Sequence, residues 1–155
     1  MTMKNMIWRL ILPLAMVSFG TLTKWWYVLP VDAPDTMMAG FPFAFVADGW
    51  GSSMSLQIFI IELLTDFFLY FSFLFLLTSI INRYILKIRV PKFLTGILWT
   101  LATIIFAFSV CLASLPEQSF ELKRNWGMQI LTTGYKFTWS QQDRPDISKL
   151  LPTKK

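Results

Sequence analysis

The sequence has no histidine, a single cysteine and few charged residues, and each shortage removes a class of function. Its 155 residues include 0 His, 1 Cys and 15% charged residues. Without imidazole there is no histidine general base, no histidine haem ligand and no Cys/His zinc site. A lone cysteine forms no disulfide within the chain. We therefore expect no metal and no cofactor, and these shortages argue against an enzyme of the soluble type.

Motifs that bind nucleotides or activate a nucleophile are also missing. The chain has neither a Walker A loop nor a GxGxxG turn, and Gly49-Trp-Gly-Ser-Ser lacks the GxSxG spacing of a nucleophile elbow. The net charge of +5 is compatible with a nucleic-acid binder. However, the basic residues flank apolar blocks, a pattern typical of topology control in membranes. We therefore expect a lipid bilayer, and no nucleic acid, as a partner.

Apolar residues are abundant and occur in long blocks. They make up 55% of the chain, and aromatic residues make up 17%. Blocks of this length predict an all-α membrane protein with three transmembrane helices, at about 7–26, 56–81 and 93–115. The first block resembles a signal peptide, but no small-x-small cleavage site precedes Lys24, so we expect a retained signal anchor. The predicted domains are a membrane domain, 1–115, and a C-terminal tail, 116–155.

The basic residues predict the orientation of the chain. Lys4 and Arg9 flank the start of the first block, and four cations lie in the short connection between the second and third blocks, whereas residues 28–55 contain none. By the positive-inside rule the N-terminus is cytoplasmic, and the C-terminus is extracytoplasmic, as in a bacterial inner-membrane protein. The residues that set this topology are Lys4, Arg9, Arg83, Lys87, Arg89 and Lys92. The aromatic residues expected at the membrane interface are Trp25, Trp26, Tyr27 and Trp50.

The 28–55 loop and the tail are expected to form a small extracytoplasmic cap. In the tail, apolar residues alternate well enough for a short β-hairpin, with a turn at Thr133-Gly134. Forty residues are too few to bury a core of their own, so the tail must dock on another surface.

The third block carries small side chains along one face. Residues spaced three and four apart share a face of a helix. A face of small residues allows a second helix to approach closely. This stripe packs either on helices of the same chain or on a partner subunit. Its members are Gly96, Thr100, Thr103, Ala107 and Ser114.

Two carboxylates, Glu62 and Asp66, interrupt the second block. They are four residues apart and point the same way on a helix. Because a carboxylate is costly in hydrocarbon, we expect it to be paired. The candidate counter-charges are Lys24, Lys123 and Arg124, and pairing with them would hold the cap or a neighbouring subunit in place. Proton or cation handling is the alternative role.

Three functions remain open from the sequence. The leading hypothesis is a non-catalytic accessory or assembly subunit of a larger membrane complex, since three helices are too few to enclose a pathway. The first alternative is a small proton- or ion-coupled transport component that uses Glu62 and Asp66. The second is a membrane enzyme acting on lipid or quinone, in which Asp48, Trp50 and Glu62 approach one another. A lipid bound at the outer rim is a further expected partner.

Overall fold

The chain folds as a mixture of helices and one β-sheet. The computed structural model describes residues 3–31, 34–49, 55–140 and 142–145. The all-α fold class predicted from the sequence is wrong, because six strands in this part of the chain form a single sheet. The sheet takes two strands from the 28–55 region, two from the tail and two that overlap the predicted membrane segments, well beyond the short hairpin that the alternation predicts.

Four α-helices lie in the described residues. Two π-helical segments, Ile7–Ile11 and Ile81–Ile85, adjoin them. The α-helices are α1, Met3–Met6; α2, Leu12–Thr21; α3, Ile60–Ile80; and α4, Lys92–Ala113. Long apolar runs without interior proline explain α3 and α4, and Pro91 immediately precedes α4, where it interrupts no helical hydrogen bond.

The six strands are mostly short. They are β1, Leu22–Pro30; β2, Thr36–Ala39; β3, Val46–Asp48; β4, Leu56–Phe59; β5, Ser119–Glu121; and β6, Met128–Phe137. Their order across the sheet is β5-β4-β3-β2-β1-β6. The pairs β1–β2, β2–β3 and β3–β4 are antiparallel, whereas β4 pairs with β5 in parallel. The parallel pair joins strands that are far apart in sequence.

The chain divides into two compact units. Unit 1 comprises Met1–Leu22 and Leu64–Pro116, and unit 2 comprises Thr23–Leu63 and Glu117–Lys155. Unit 1 contains the helices apart from the first turn of α3, and its α2 packs against α4. Unit 2 contains the sheet. Its buried core consists of Val28, Met38, Ala44, Ala47 and Phe59.

The prediction of three transmembrane helices is wrong as well. Among the described residues, two helical segments are long and apolar enough to cross a membrane, Ile60–Ile85 and Lys92–Ala113. The first apolar block becomes a helix that ends at Thr21 and a strand, β1, that begins at Leu22. Aromatic residues such as those at 25–27 favour strands as well as membrane interfaces, and here strand pairing with β2 prevails.

Two further features differ from the sequence prediction, the start of α3 and the predicted turn in the tail. Residues 56–59 begin the second apolar block, yet they form β4 and the helix starts at Ile60. Periodicity alone does not separate a short apolar strand from a helix. In the tail, β6 continues through Thr133-Gly134 without a turn. A Cβ on Gly134 would lie 2.5 Å from the indole nitrogen of Trp25, so this glycine allows close packing.

Candidate functional site

The helix α4 satisfies its own hydroxyl groups. Thr100 donates to the carbonyl oxygen of Gly96 at 2.9 Å, and Thr103 donates to that of Trp99 at 2.8 Å. Ser114, the residue that caps the C-terminus of α4, donates to the carbonyl oxygen of Val110 at 2.7 Å. Each bond closes on the preceding turn, which removes the cost of placing a hydroxyl in apolar surroundings. The polar members of the stripe are therefore compatible with a membrane.

The small-residue stripe on α4 lies at the surface. All five of its predicted members are exposed: Gly96, Thr100, Thr103, Ala107 and Ser114. A Cβ added to Gly96 would meet no atom within 4 Å. A groove of about 430 Å³ opens here, lined by Phe93, Gly96, Ile97, Thr100 and Leu101. Two members of the stripe, Gly96 and Thr100, thus line a shallow, mostly apolar groove.

The chain uses a different face of α4 for its own packing. Gly20 of α2 meets the side chain of Ile105 so closely that no Cβ fits there. At 3.6 residues per turn, Ile105 lies about 180° around the helix from Gly96. Nearer the start of α4, the Trp99 indole donates to the carbonyl oxygen of Trp8 at 3.1 Å. Neither of these contacts to the N-terminal helices uses a residue of the stripe.

Glu62 lies in the first turn of α3, in unit 2. Its Oε1 accepts a hydrogen bond from the backbone N–H of Arg124 at 3.4 Å. Its Oε2 is buried and has no hydrogen-bond partner among the described residues. Asp66 lies one turn further along α3, in unit 1, and is 0% exposed. The two carboxylates therefore differ in exposure, since Glu62 is half-buried and Asp66 is fully buried.

The three candidate counter-charges do not form ion pairs with Glu62 in the described part of the chain. The Lys24 ammonium lies 3.8 Å from the centroid of a Trp26 ring. The Arg124 guanidinium lies 5.7 Å from a Trp126 ring, and Lys123 is exposed. Arg124 thus contacts the carboxylate through its backbone and not through its charge. An ion pair that the sequence does not predict joins Arg144 to Asp48 at 3.0 Å.

The aromatic residues expected at the interface lie on β1. The indole of Trp26 donates to the carbonyl oxygen of Gly40 at 2.9 Å. Tyr27 is 2% exposed, and its hydroxyl donates to Asp35 Oδ2 at 2.6 Å. These contacts tie the aromatic residues into the sheet. Trp50 lies outside the described residues.

The basic residues are mostly exposed. Arg9 lies in a π-helical segment and is half-buried. The exposed ones are Lys4, Arg83, Lys87, Arg89 and Lys92. The last four lie in or beside the connection between α3 and α4, so this connection presents a strongly basic surface.

The sequence analysis does not single out the large side chains that border the groove. Three of them are spaced four residues apart and therefore share a face of α4, namely Phe93, Ile97 and Leu101. This shared face was predictable from the spacing in the sequence. In the described residues, no group of three acidic or cysteine side chains is placed to hold a metal ion. Comparison of the chain with protein-family models, with curated proteins and with solved structures returned no match.

Proposed function

We propose that the protein is a non-catalytic accessory subunit of a larger membrane complex, and that the stripe on α4 receives a helix of a partner subunit. The observation that carries the proposal is the exposure of all five stripe residues, while Gly20 of α2 packs on Ile105 at another face of α4. A groove beside a glycine allows close helix–helix approach, which van der Waals packing stabilises in lipid.

Membrane embedding is supported by the exposed apolar surface of α3 and α4. In each helix 6% of the most apolar stretch is buried, so neither is a core helix of this chain. Exposed apolar surface this extensive is stable in lipid or against another apolar surface. Side chains more than half exposed include Phe68, Phe73, Leu76, Ile104, Phe106 and Phe108. We place α3 and α4 in the bilayer as two successive crossings.

The orientation we propose follows from the basic connection between these helices. Arg83, Lys87, Arg89 and Lys92 fall in this short segment, and such segments remain cytoplasmic. Because β4 leads into α3 and β5 follows α4, two membrane crossings return the chain to the side of the sheet. Unit 2 would then be extracytoplasmic, on the periplasmic face if the membrane is a bacterial inner membrane.

The test compares substitutions inside and outside the stripe. Gly96→Leu and Ala107→Leu add a large side chain on the stripe. Ser109→Leu adds similar bulk at an exposed position of α4 that lies about 140° around the helix from Gly96. The full-length chain is purified in mild detergent, and co-purifying proteins are quantified by mass spectrometry. We expect each stripe variant to lower partner recovery about tenfold or more, equivalent to ~1.4 kcal/mol, and Ser109→Leu to leave it unchanged.

Two results would contradict the proposal. One is a wild-type chain that purifies as a lone monomer with no stoichiometric partner. The other is a Gly96→Leu variant that retains its partner as well as Ser109→Leu does.

A further inference from the structure

A second apolar surface lies where the sheet meets the start of α3, and we call it the β5 patch. It consists of Ile60, Ile61, Phe120 and Leu122, whose side chains are 37%, 45%, 55% and 71% exposed. Lys123 follows immediately and is exposed as well. All of these residues belong to unit 2. The patch therefore combines exposed apolar side chains with an adjacent cation.

Backbone hydrogen bonds fix the parts of the patch to one another. Ile61 N–H donates to the carbonyl oxygen of Leu122 at 3.1 Å. One step earlier, β4 pairs with β5 in parallel, with Phe59 opposite Glu121. Since β4 continues into α3 without a loop, Phe120 and Leu122 stay close to the first turn of this helix.

The length of the apolar segment sets the depth of that first turn. The segment Ile60–Ile85 has 26 residues, or ~39 Å at 1.5 Å per residue, against a hydrocarbon core of ~30 Å. The part of this segment inside the hydrocarbon core ends before Arg83, because a guanidinium stays at headgroup level. About 20 residues counted back from Asn82 reach Leu63. The turn that holds Ile60 and Ile61 therefore lies in the headgroup layer.

We propose that the β5 patch is an interfacial anchor occupied by the phospholipids of the bilayer, with Phe120 and Leu122 at the headgroup–acyl boundary and Lys123 on the lipid phosphates. The bilayer is the occupant because the patch is continuous with the first turn of a membrane-spanning helix. Lysine beside apolar side chains matches the charge and polarity of that layer. The inference rests on the membrane embedding of α3 proposed above.

The depth of three positions tests the anchor. In the full-length chain with Cys111→Ala, spin labels are attached at Leu122→Cys, at Phe73→Cys within α3, and at Val31→Cys. Val31 is the matched control, because it is an apolar residue of unit 2 that is 78% exposed. The protein is reconstituted alone into vesicles of phosphatidylcholine and phosphatidylglycerol. The collision rates of each label with oxygen and with a water-soluble nickel chelate are then measured.

We expect the oxygen-to-nickel ratio at Leu122 to be several-fold above that at Val31 and below that at Phe73. Adding Lys123→Glu is expected to lower the ratio at Leu122 and to leave Phe73 unchanged. A ratio at Leu122 equal to that at Val31, with Phe73 still in lipid, overturns the anchor and leaves the patch to a protein partner. A water-accessible label at Phe73 overturns the membrane embedding itself.

Discussion

At the scale of single residues, two glycines of unit 1 have opposite surroundings. Gly20 faces Ile105 with no room for a methyl group, whereas Gly96 faces open space. Gly20 is therefore required for the packing of α2 against α4. Gly96 leaves room for a further side chain or a second helix to approach α4. The same residue type thus serves packing within the chain at one position and a free surface at the other.

This contrast predicts opposite effects of alanine. We expect Gly20→Ala to destabilise the protein by about 1–3 kcal/mol, the usual cost of overpacking. Gly96→Ala should be neutral or stabilising by up to ~1 kcal/mol, because alanine is the better helix former. Thermal unfolding in mild detergent, followed by circular dichroism, measures both.

A double variant identifies the cause of the Gly20 effect. In an Ile105→Ala background, Gly20→Ala should cost clearly less, since the opposing methyl groups are gone. An unchanged cost would show that the effect of Gly20 does not come from this contact.

At the scale of elements, the link between β4 and β5 joins two distant parts of the chain. The backbone N–H of Leu56 donates to Oε1 of Gln118 at 2.6 Å, just before the parallel pairing begins. Parallel strands lack a hairpin turn to set their register. The hydrogen bond from Leu56 to Gln118 therefore fixes the first residues of the β4–β5 pair relative to each other. It thereby positions β4, which leads into α3.

Removing this bond should loosen the β4–β5 pair. We expect Gln118→Leu to cost about 1–3 kcal/mol, because the N–H of Leu56 is left without its acceptor. Amide hydrogen exchange at residues 56–59 should then accelerate by about tenfold for each ~1.4 kcal/mol lost. The measurement is exchange followed by mass spectrometry.

Two variants serve as controls for that result. Gln118→Glu keeps an oxygen acceptor and should restore most of the protection of residues 56–59. Gln129→Leu changes an exposed glutamine on β6 and should leave it unaffected. If Gln118→Leu exchanges like Gln129→Leu, the side chain does not hold the pair.

At the scale of the whole molecule, the chain returns to the same sheet after the helices α3 and α4. Strands β1 to β4 precede these two helices, and β5 and β6 follow them. A single sheet formed from both segments requires them to be on the same side of any membrane. The basic connection at 81–91 lies between the two helices and would occupy the other side.

Labelling from one side of the membrane tests this topology. Two exposed positions, Lys87 in the connection and Thr133 on β6, are changed to cysteine in a Cys111→Ala background. In sealed vesicles with their extracytoplasmic face outward, an impermeant maleimide should label Thr133→Cys. Lys87→Cys should react after the vesicles are opened with detergent. Equal labelling of both before opening would contradict a membrane between them.

The elements that the sequence predicted well are those with a long and uniform signal. The apolar runs of α3 and α4 exceed any strand in length, so their helical state was predictable. The shared helix face of the small residues at 96–114 was also predictable, because it depends on helix geometry alone. Strand formation at 22–30 and 56–59 was not, since short apolar and aromatic runs fit a strand, a helix end or a membrane interface equally well.

The sequence by itself determined the two long apolar helices, the basic connection between them and the absence of histidine chemistry, because these depend on composition and local period. Tertiary structure alone decided that the aromatic residues of β1 enter a sheet. It also decided that Glu62 contacts the backbone of Arg124 and that α2 packs on Ile105, on the side of α4 opposite Gly96. Strand partners and helix faces depend on contacts between residues distant in the chain, and no local pattern encodes these contacts.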